Sequence, residues 1–375
     1  MYLKSILVIA IILAWVLVGC KGNVEIVDTD ATEPTIPATR SSDANTPDVS
    51  STKHRLLVKS NASSSMAVSP DGNIAVAVNQ DSDSVTLIDA ITLESVAEIS
   101  VGDNPATVSI TPDSRTALVT NYDSATLSVI DLKQGKQIAE YKVGHMPYGV
   151  VTNGVHAFIT EFGIGDIGVI EVSTGELLTR IRVDPFPSGI ALSQNAEKLL
   201  ITHLFTGKVT VVDVSTHTII GMASTGLETN LSQFIAIDEE GQKAYLPQTR
   251  SNTTNTAPLF DTTVFPIVNV LDLNELQLVI KERITLDTAD EPVNMPFAVA
   301  LSSTKGILYV ANAGSDNVSV IDLTTNRGIA NLTVGSNPRG IAIVPDESRI
   351  FVNNVLDGTV SVIDAKTLAV TNTIQ

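Results

Sequence analysis

The sequence predicts an all-β fold, a seven-bladed β-propeller of four-stranded antiparallel blades. Three observations carry this expectation. An apolar strand closed by an acid recurs seven times, ending at Asp89, Asp131, Glu171, Asp213, Asp272, Asp322 and Asp364. Successive acids are 42, 40, 42, 59, 50 and 42 residues apart, and a period near 42 built from strand-like units marks a propeller or solenoid. The composition is that of a folded chain: of 375 residues, 43% are hydrophobic and 17% charged, so there is ample material for a core.

In chain order, the first element is a leader. Met1-Tyr2-Leu3-Lys4 precedes an uncharged run from Ser5 to Val18, too short to span a bilayer at about 20 residues but suited to a signal peptide. It ends Leu17-Val18-Gly19-Cys20. Residues 21–54 are rich in Thr, Ser, Asp, Pro and Ala and bury too little apolar surface to order themselves, which suits a tether. The expected division is therefore leader 1–19, cysteine and tether 20–54, and propeller 55–375.

Each repeat then supplies four strands. Strand A is short, as in Gly340-Ile-Ala-Ile-Val344. Pro-Asp pairs follow, at Pro70-Asp71, Pro112-Asp113 and Pro345-Asp346. Proline presets φ and Asp tolerates the turn, which makes a tight A–B connection. Strand B is apolar on both faces, as in Ile74-Ala-Val-Ala-Val78, as expected where sheets pack on both sides. Strand C carries the terminal acid. After Asp89, Asp213, Asp322 and Asp364 a threonine follows three residues later (Thr92, Thr216, Thr325 and Thr367), so the acidic row is read as turn-forming rather than catalytic. Strand D ends in Val-Gly at Val101, Val143 and Val334. Closing seven units into a ring hides sheet edges. A spare strand at Arg55–Val58 is expected to pair beside the last blade and latch the circle.

The repeat provides its own reference for insertions. The extra residues behind the 59 and 50 spacings fall in the D–A connection near Gly226–Ser232, in a B–C loop at Thr249–Pro266, and in the D–A connection near Leu286–Pro296. B–C and D–A loops emerge on one face of a propeller, so one face is decorated. The last residue of strand B reads Asn79, Asn121, Glu161, His203, Gln248, Asn312, Asn354. Asn there can cap loop backbone. Glu161, His203 and Gln248 break the pattern beside the insertions and are candidates for a ligand or partner. Glu161 and His203 are weak metal candidates, since two protein ligands are too few for a metal site. Tyr148 and Arg339 precede or open strand A at the channel mouth and suit an anionic ligand. Arg250, Phe260 and Phe265 lie in the largest insertion, whose apolar residues need cover or a partner.

Other classes are excluded. Lys plus Arg is 23 against 41 Asp plus Glu, a net charge of −18, which repels nucleic acid. The single cysteine rules out a disulfide framework, a cysteine zinc cluster and a C-x-x-C-H haem attachment in this chain. No Walker loop, His-Glu-x-x-His, Gly-x-Ser-x-Gly or dinucleotide signature occurs. No catalytic residue or cofactor is therefore assigned. The only tryptophan is Trp15 and no Trp-Asp dipeptide exists, against a WD40 repeat.

Leu308-Tyr-Val-Ala-Asn312, Leu118-Val-Thr-Asn121, Ile350-Phe-Val-Asn-Asn354 and the Asn-Pro and Pro-Asp turns resemble the YVTN-type, lactonase-like propeller repeat of bacterial and archaeal surface proteins. The resemblance covers about residues 56–375 and implies the fold more than a function. Leu17–Cys20 resembles the lipobox of bacterial lipoproteins, which implies lipid attachment at Cys20 and a membrane-anchored, extracytoplasmic location, on the periplasmic face or cell surface. Leu246–Asn252, Phe260–Pro266 and Pro292–Phe297 resemble propellers that precede di-haem cytochrome c domains. That implies either a stand-alone propeller whose partner, a c-type cytochrome, is a separate polypeptide, or one that has lost that role. The expected function is a ligand- or protein-binding module, and the alternative is a lactonase-like hydrolase using the decorated mouth.

Overall fold

The computed structural model describes residues 61–251, 264–286 and 293–375. They form seven blades around a channel: residues 66–100, 105–142, 147–182, 187–224, 229–285, 296–333 and 338–374, blades one to seven. Blade two shows the pattern, with strands A to D at Pro105–Ile110, Thr116–Asn121, Thr126–Asp131 and Lys136–Lys142 in simple antiparallel order. Strand A lies innermost. Strand B is buried almost throughout (Thr116–Asn121 and its counterpart Ile350–Asn354 in blade seven) because neighbouring blades cover both faces. Strand D alternates exposed and part-buried residues at the rim.

The core is divided into seven clusters, one at each seam between blades. Val76, Leu87, Val108 and Val119 fill the first seam. Phe158, Ile167, Ile190 and Ile201 fill the third. Met66, Ile88, Phe351 and Val362 fill the seam that closes the ring between blades seven and one. The β-branched residues that dominate these strands suit flat, two-sided packing.

The acids ending strand C make turns, as their spacing predicts. Asp89 accepts the backbone N–H of Ile91 and Thr92 at 2.8 Å, and Asp213 and Asp364 accept those of Thr216 and Thr367. Such turn bonds hold Asp89 and Asp364 below the usual carboxylate range, as the Gln134 N–H does Asp131 and the Thr324 hydroxyl does Asp322, and the hydroxyl of Ser215 with the Thr216 N–H brings Asp213 down to about 2. A folded-state pKa below the unfolded value stabilises the fold above the unfolded value, near 4, and that stability fades as pH falls through the folded value. The melting temperature, measured by calorimetry, is expected to decline gently below about pH 6.5, where His156 and His203 take up protons more readily in the unfolded chain, and to fall steeply between about pH 4 and 2. A flat profile down to pH 2 would contradict it.

Two sequence expectations need correction or restriction. Thr249–Pro266 is not all loop. Strand B of blade five runs Lys243–Ser251 and strand C Val264–Asp272, with Thr249, Arg250 and Ser251 opposite Pro266, Phe265 and Val264. The three-residue addition before it forms a short strand, Thr229–Asn230, that pads this lengthened hairpin. The Arg55–Val58 latch lies outside the described residues. The chain just after it enters the channel: Asn61–Ala62 pairs with Leu192 and Ala191 of the innermost strand of blade four (Pro187–Leu192). Ser63 N–H donates to Ile190 O at 2.8 Å, Val108 N–H to Ser64 O at 2.9 Å, and Ile341 N–H to Ser64 Oγ at 3.2 Å. Asn353 Nδ2 donates to Ser65 O at 3.2 Å and to Val78 O at 2.8 Å. One short segment thus straps blades four, two, seven and one together from inside. Beside it a cavity of about 440 Å³ opens toward the A–B turns, with Glu239 and Glu347 among its lining.

Candidate functional site

The B–C and D–A loops form one continuous surface because they hydrogen-bond to each other. Tyr122 N–H donates to Asn104 O, Phe162 N–H to Met146 O, Leu204 N–H to Phe186 O, Ala313 N–H to Met295 O and Val355 N–H to Asn337 O, at 2.9–3.2 Å. The accepting residue of each pair sits in the left-handed backbone region. The φ values are 53° at Asn104, 53° at Met146, 59° at Phe186, 50° at Met295 and 56° at Asn337, with Leu231 at 58° in the matching loop of blade five. Asn accepts that conformation readily. Met, Phe and Leu do not, at a cost on the order of 1 kcal/mol each. Phe186 and Met295 are held there exposed against their backbone preference, while Met146 and Leu231 are half-buried.

The three residues that break the strand-B pattern are buried and engaged inside their own part of the ring. In blades one and two, Asn79 and Asn121 donate to strand-C hydroxyls, Thr86 and Ser128. Opposite these on strand D stand Glu98 and Glu140. In blade three the strand-C position is Gly168, the strand-D residue is Arg180, and Glu161 takes the place of Asn. Glu161 is 0% exposed, accepts the Gly144 N–H at 2.8 Å and pairs with Arg180 Nε at 2.8 Å. A Cβ at position 168 would lie 2.6 Å from its Oε1, so a larger residue there would displace the Glu161 carboxylate. Charge, size and hydrogen bonding have changed together.

His203 donates from Nδ1 to Pro185 O (3.2 Å), which leaves Nε2 to accept the Thr210 hydroxyl (2.8 Å). Burial holds its imidazole below the ordinary value, partly opposed by the Pro185 carbonyl, so the ring is neutral at pH 7. Gln248 donates to Thr225 Oγ1 at 3.1 Å and to Ser232 Oγ, and accepts from Asn269, which in turn accepts from Arg283 Nε at 2.8 Å. The Asn residues elsewhere bond strand-C side chains rather than loop backbone, as at Asn312 and Asn354; His203 and Gln248 keep that strand-C bond, to Thr210 and Asn269, and add contacts to the D–A connection. Among the described residues no three His, Cys, Asp or Glu side chains group to hold a metal ion.

Tyr148 and Arg339 do meet at the channel mouth. Tyr148 donates its hydroxyl to Gln233 Oε1 at 2.9 Å and stacks on Phe234 at 6.0 Å. Phe234 contacts Phe297, and the Arg339 guanidinium lies 5.3 Å from the Phe297 ring centre. Arg339 Nη1 donates to Gln80 at 3.4 Å, while its Nε is buried without a partner. Burial pushes the Tyr148 hydroxyl above its usual range, with Arg339 opposing. Arg250 is paired with Glu228 at 3.0 Å. Phe265 lies half-buried opposite Arg250. Phe260 lies outside the described residues.

Sequence reasoning missed the most exposed feature. Phe162, Phe186 and Phe205 form a run of rings with centres 5.3 and 5.2 Å apart, continued to Tyr122 at 6.3 Å. Ile164 and Leu227 are exposed on the same loops. The available signal was the residue before the strand-A proline, which is Asn at 104 and 337 but Met146, Phe186 and Met295 between them.

No protein-family model matches the chain, and no curated protein matches it in sequence. Solved structures similar to it include hydrazine synthase of Kuenenia stuttgartiensis, at 20% identity and TM-score 0.72, over 85% of this chain and 99% of that one. The β-propeller domain of Cps50 (Swd1) from Myceliophteria thermophila is similar at 14% identity and TM-score 0.61, over 82% and 98%. The dihydro-heme d1 dehydrogenase NirN, in complex with DHE, is similar at 15% and TM-score 0.55, over 82% and 65%. At these identities the likeness concerns fold, and together with the seven sheets it establishes the chain as a seven-bladed β-propeller.

Proposed function

We propose that the protein is a lipid-anchored, extracytoplasmic binding module of the YVTN-type, lactonase-like class, whose B–C/D–A face docks a protein partner, a c-type cytochrome. The carrying observation is the run Phe162–Phe186–Phe205, in which Phe186 and Phe205 are exposed and Phe186 is held in the left-handed region. Exposed aromatic rings on a strained, rigid loop are a feature of docking surfaces rather than of fold maintenance. The leader ending in Cys20 supports the anchor. The fold likeness to NirN in complex with DHE lends support to a haem-containing setting.

One experiment tests both parts. Membranes from cells making the wild type or Cys20→Ser are fractionated, and the wild type is used to pull down partners. Cys20→Ser is expected to leave the membrane fraction or remain unprocessed, and the wild type to recover a haem protein by haem-staining. A Cys20→Ser chain that stays membrane-bound with normal processing refutes the anchor. Recovery of no haem protein refutes the cytochrome.

A further inference from the structure

The decorated face is electrostatically divided. Its exposed apolar residues concentrate on blades three to five and their connections, at Ile164, Phe186, Phe205, Leu227 and Met295, with the half-buried Phe162 among them, and a single further one, Leu356, stands on blade seven. Blades six, seven, one and two carry exposed carboxylates on the same loops: Asp316, Asp357, Asp81, Asp83, Asp103 and Asp123. None of these six has an ion-pair partner among the described residues. The cations of the apolar side are neutralised locally, Arg182 by Asp166 at 2.9 Å, Lys208 by Asp184 at 2.6 Å and Arg250 by Glu228 at 3.0 Å.

The acidic side is also pre-set. Asp83 accepts the Asn104 N–H at 2.8 Å, Asp316 the Asn337 N–H at 2.8 Å, and Asp357 the Ser336 N–H at 2.6 Å. Asp123 accepts Asn104 Nδ2 at 3.1 Å. These four carboxylates are each held by a hydrogen bond and stay exposed. The same left-handed loop position that carries Asn104 and Asn337 on the acidic side carries Met146, Phe186 and Met295 around the rest of the ring. The two halves of the face are therefore built by one repeated device with different residues.

We propose that this face binds a protein whose contact surface sets an apolar patch beside a cluster of lysines or arginines. The apolar patch seats on blades three to five and the cations over blades six to two. The inference rests on the docking reading above and names the chemistry of the partner. Charge decides against other occupants. A second copy of a chain with net charge −18 would bring like-charged arcs together, and an anionic lipid surface would be repelled. In such an interface the unpaired carboxylates set the association rate and the rings set the dissociation rate.

The test uses the full chain in detergent, immobilised, with two soluble probes: a c-type cytochrome of basic surface and one of acidic surface. The basic probe is expected to bind, with an association rate falling about tenfold between 20 and 200 mM salt, the range over which screening shortens steeply. The acidic probe is expected not to bind. Asp83→Asn, Asp123→Asn, Asp316→Asn and Asp357→Asn together keep the loop-capping oxygen and are expected to cut association about tenfold. Removing four charges from the opposite face (Glu94→Gln, Glu176→Gln, Glu239→Gln, Glu275→Gln) is expected to change it less than about twofold. Phe186→Asn with Phe205→Asn is expected to speed dissociation about tenfold without lowering the melting temperature, since Asn suits the backbone at 186. Failure of the basic probe to bind, equal binding of both probes, or equal loss in both charge variants overturns the inference. A haem protein recovered from membranes whose binding ignores salt overturns it while leaving the docking reading intact.

Discussion

Deleting Asn61–Ser64 is expected to lower the melting temperature by about 10 °C, the product of about 4 kcal/mol and a few degrees per kcal/mol at this size. The segment supplies the partner for Ile190 O through Ser63 N–H and for Val108 N–H through Ser64 O. Its serine hydroxyls accept the Ile190 and Ile341 N–H groups. Each bond is worth on the order of 1 kcal/mol net, and all of them join blades distant in sequence. Among the described residues no strand is exchanged between the first and last blades, and blade seven is built from residues 338–374. The closing seam is thus held by the Met66–Phe351 cluster and by this internal strap. The check is a thermal melt of the deletion against the parent. A shift under about 2 °C would show that the packed seam suffices by itself.

Arg180→Ala is expected to destabilise the fold by about 3 kcal/mol, the low end for stripping the partner from a buried charge. Glu161 is fully buried, but the Arg180 side chain is 38% exposed, and water reaching the gap moderates the loss. The sharper prediction is the rescue. Glu161→Asn, Gly168→Ser and Arg180→Asn together rebuild the set found in blade six, where Asn312 donates to Asn317 and Ser319, and Ser319 donates to Asn331, with Asp166 standing as the acceptor in the place of Asn317. This triple variant is expected to melt within about 3 °C of the parent while Arg180→Ala melts about 8 °C below it. A triple variant no more stable than Arg180→Ala would show that blade three is not an interchangeable rewiring of the common pattern. The same outcome would return Glu161 to the pool of functional candidates.

The two proposals differ in what each needs from neighbouring residues, and so in how much a linear reading could supply. Glu161 was visible as a departure from Asn, and the departure drew attention to function. Its meaning depended on Gly168 and Arg180, which stand beside it only because strands B, C and D pair in register. His203 and Gln248 follow the same logic: Thr210 lies seven residues from His203, and Ser232 sixteen from Gln248. A pattern break in a repeat signals that something local has changed. It does not distinguish a changed ligand from a changed hydrogen-bond set.

The sequence by itself determined the number of blades, the order of strands within each, the A–B and C–D turns and the face on which insertions fall. All of these follow from contacts within one repeat of about 42 residues, where turn chemistry and period-two burial act locally. Tertiary structure decided the rest: the strap through the channel, the Tyr148–Gln233 bond across 85 positions, the aromatic run and the division of the face into apolar and acidic arcs. These arise where loops from different blades meet, and the pairing of a residue with one 20 to 280 positions away is set by ring closure. Seven nearly equivalent repeats carry the same local signals, so only the closed ring assigns each loop its neighbours.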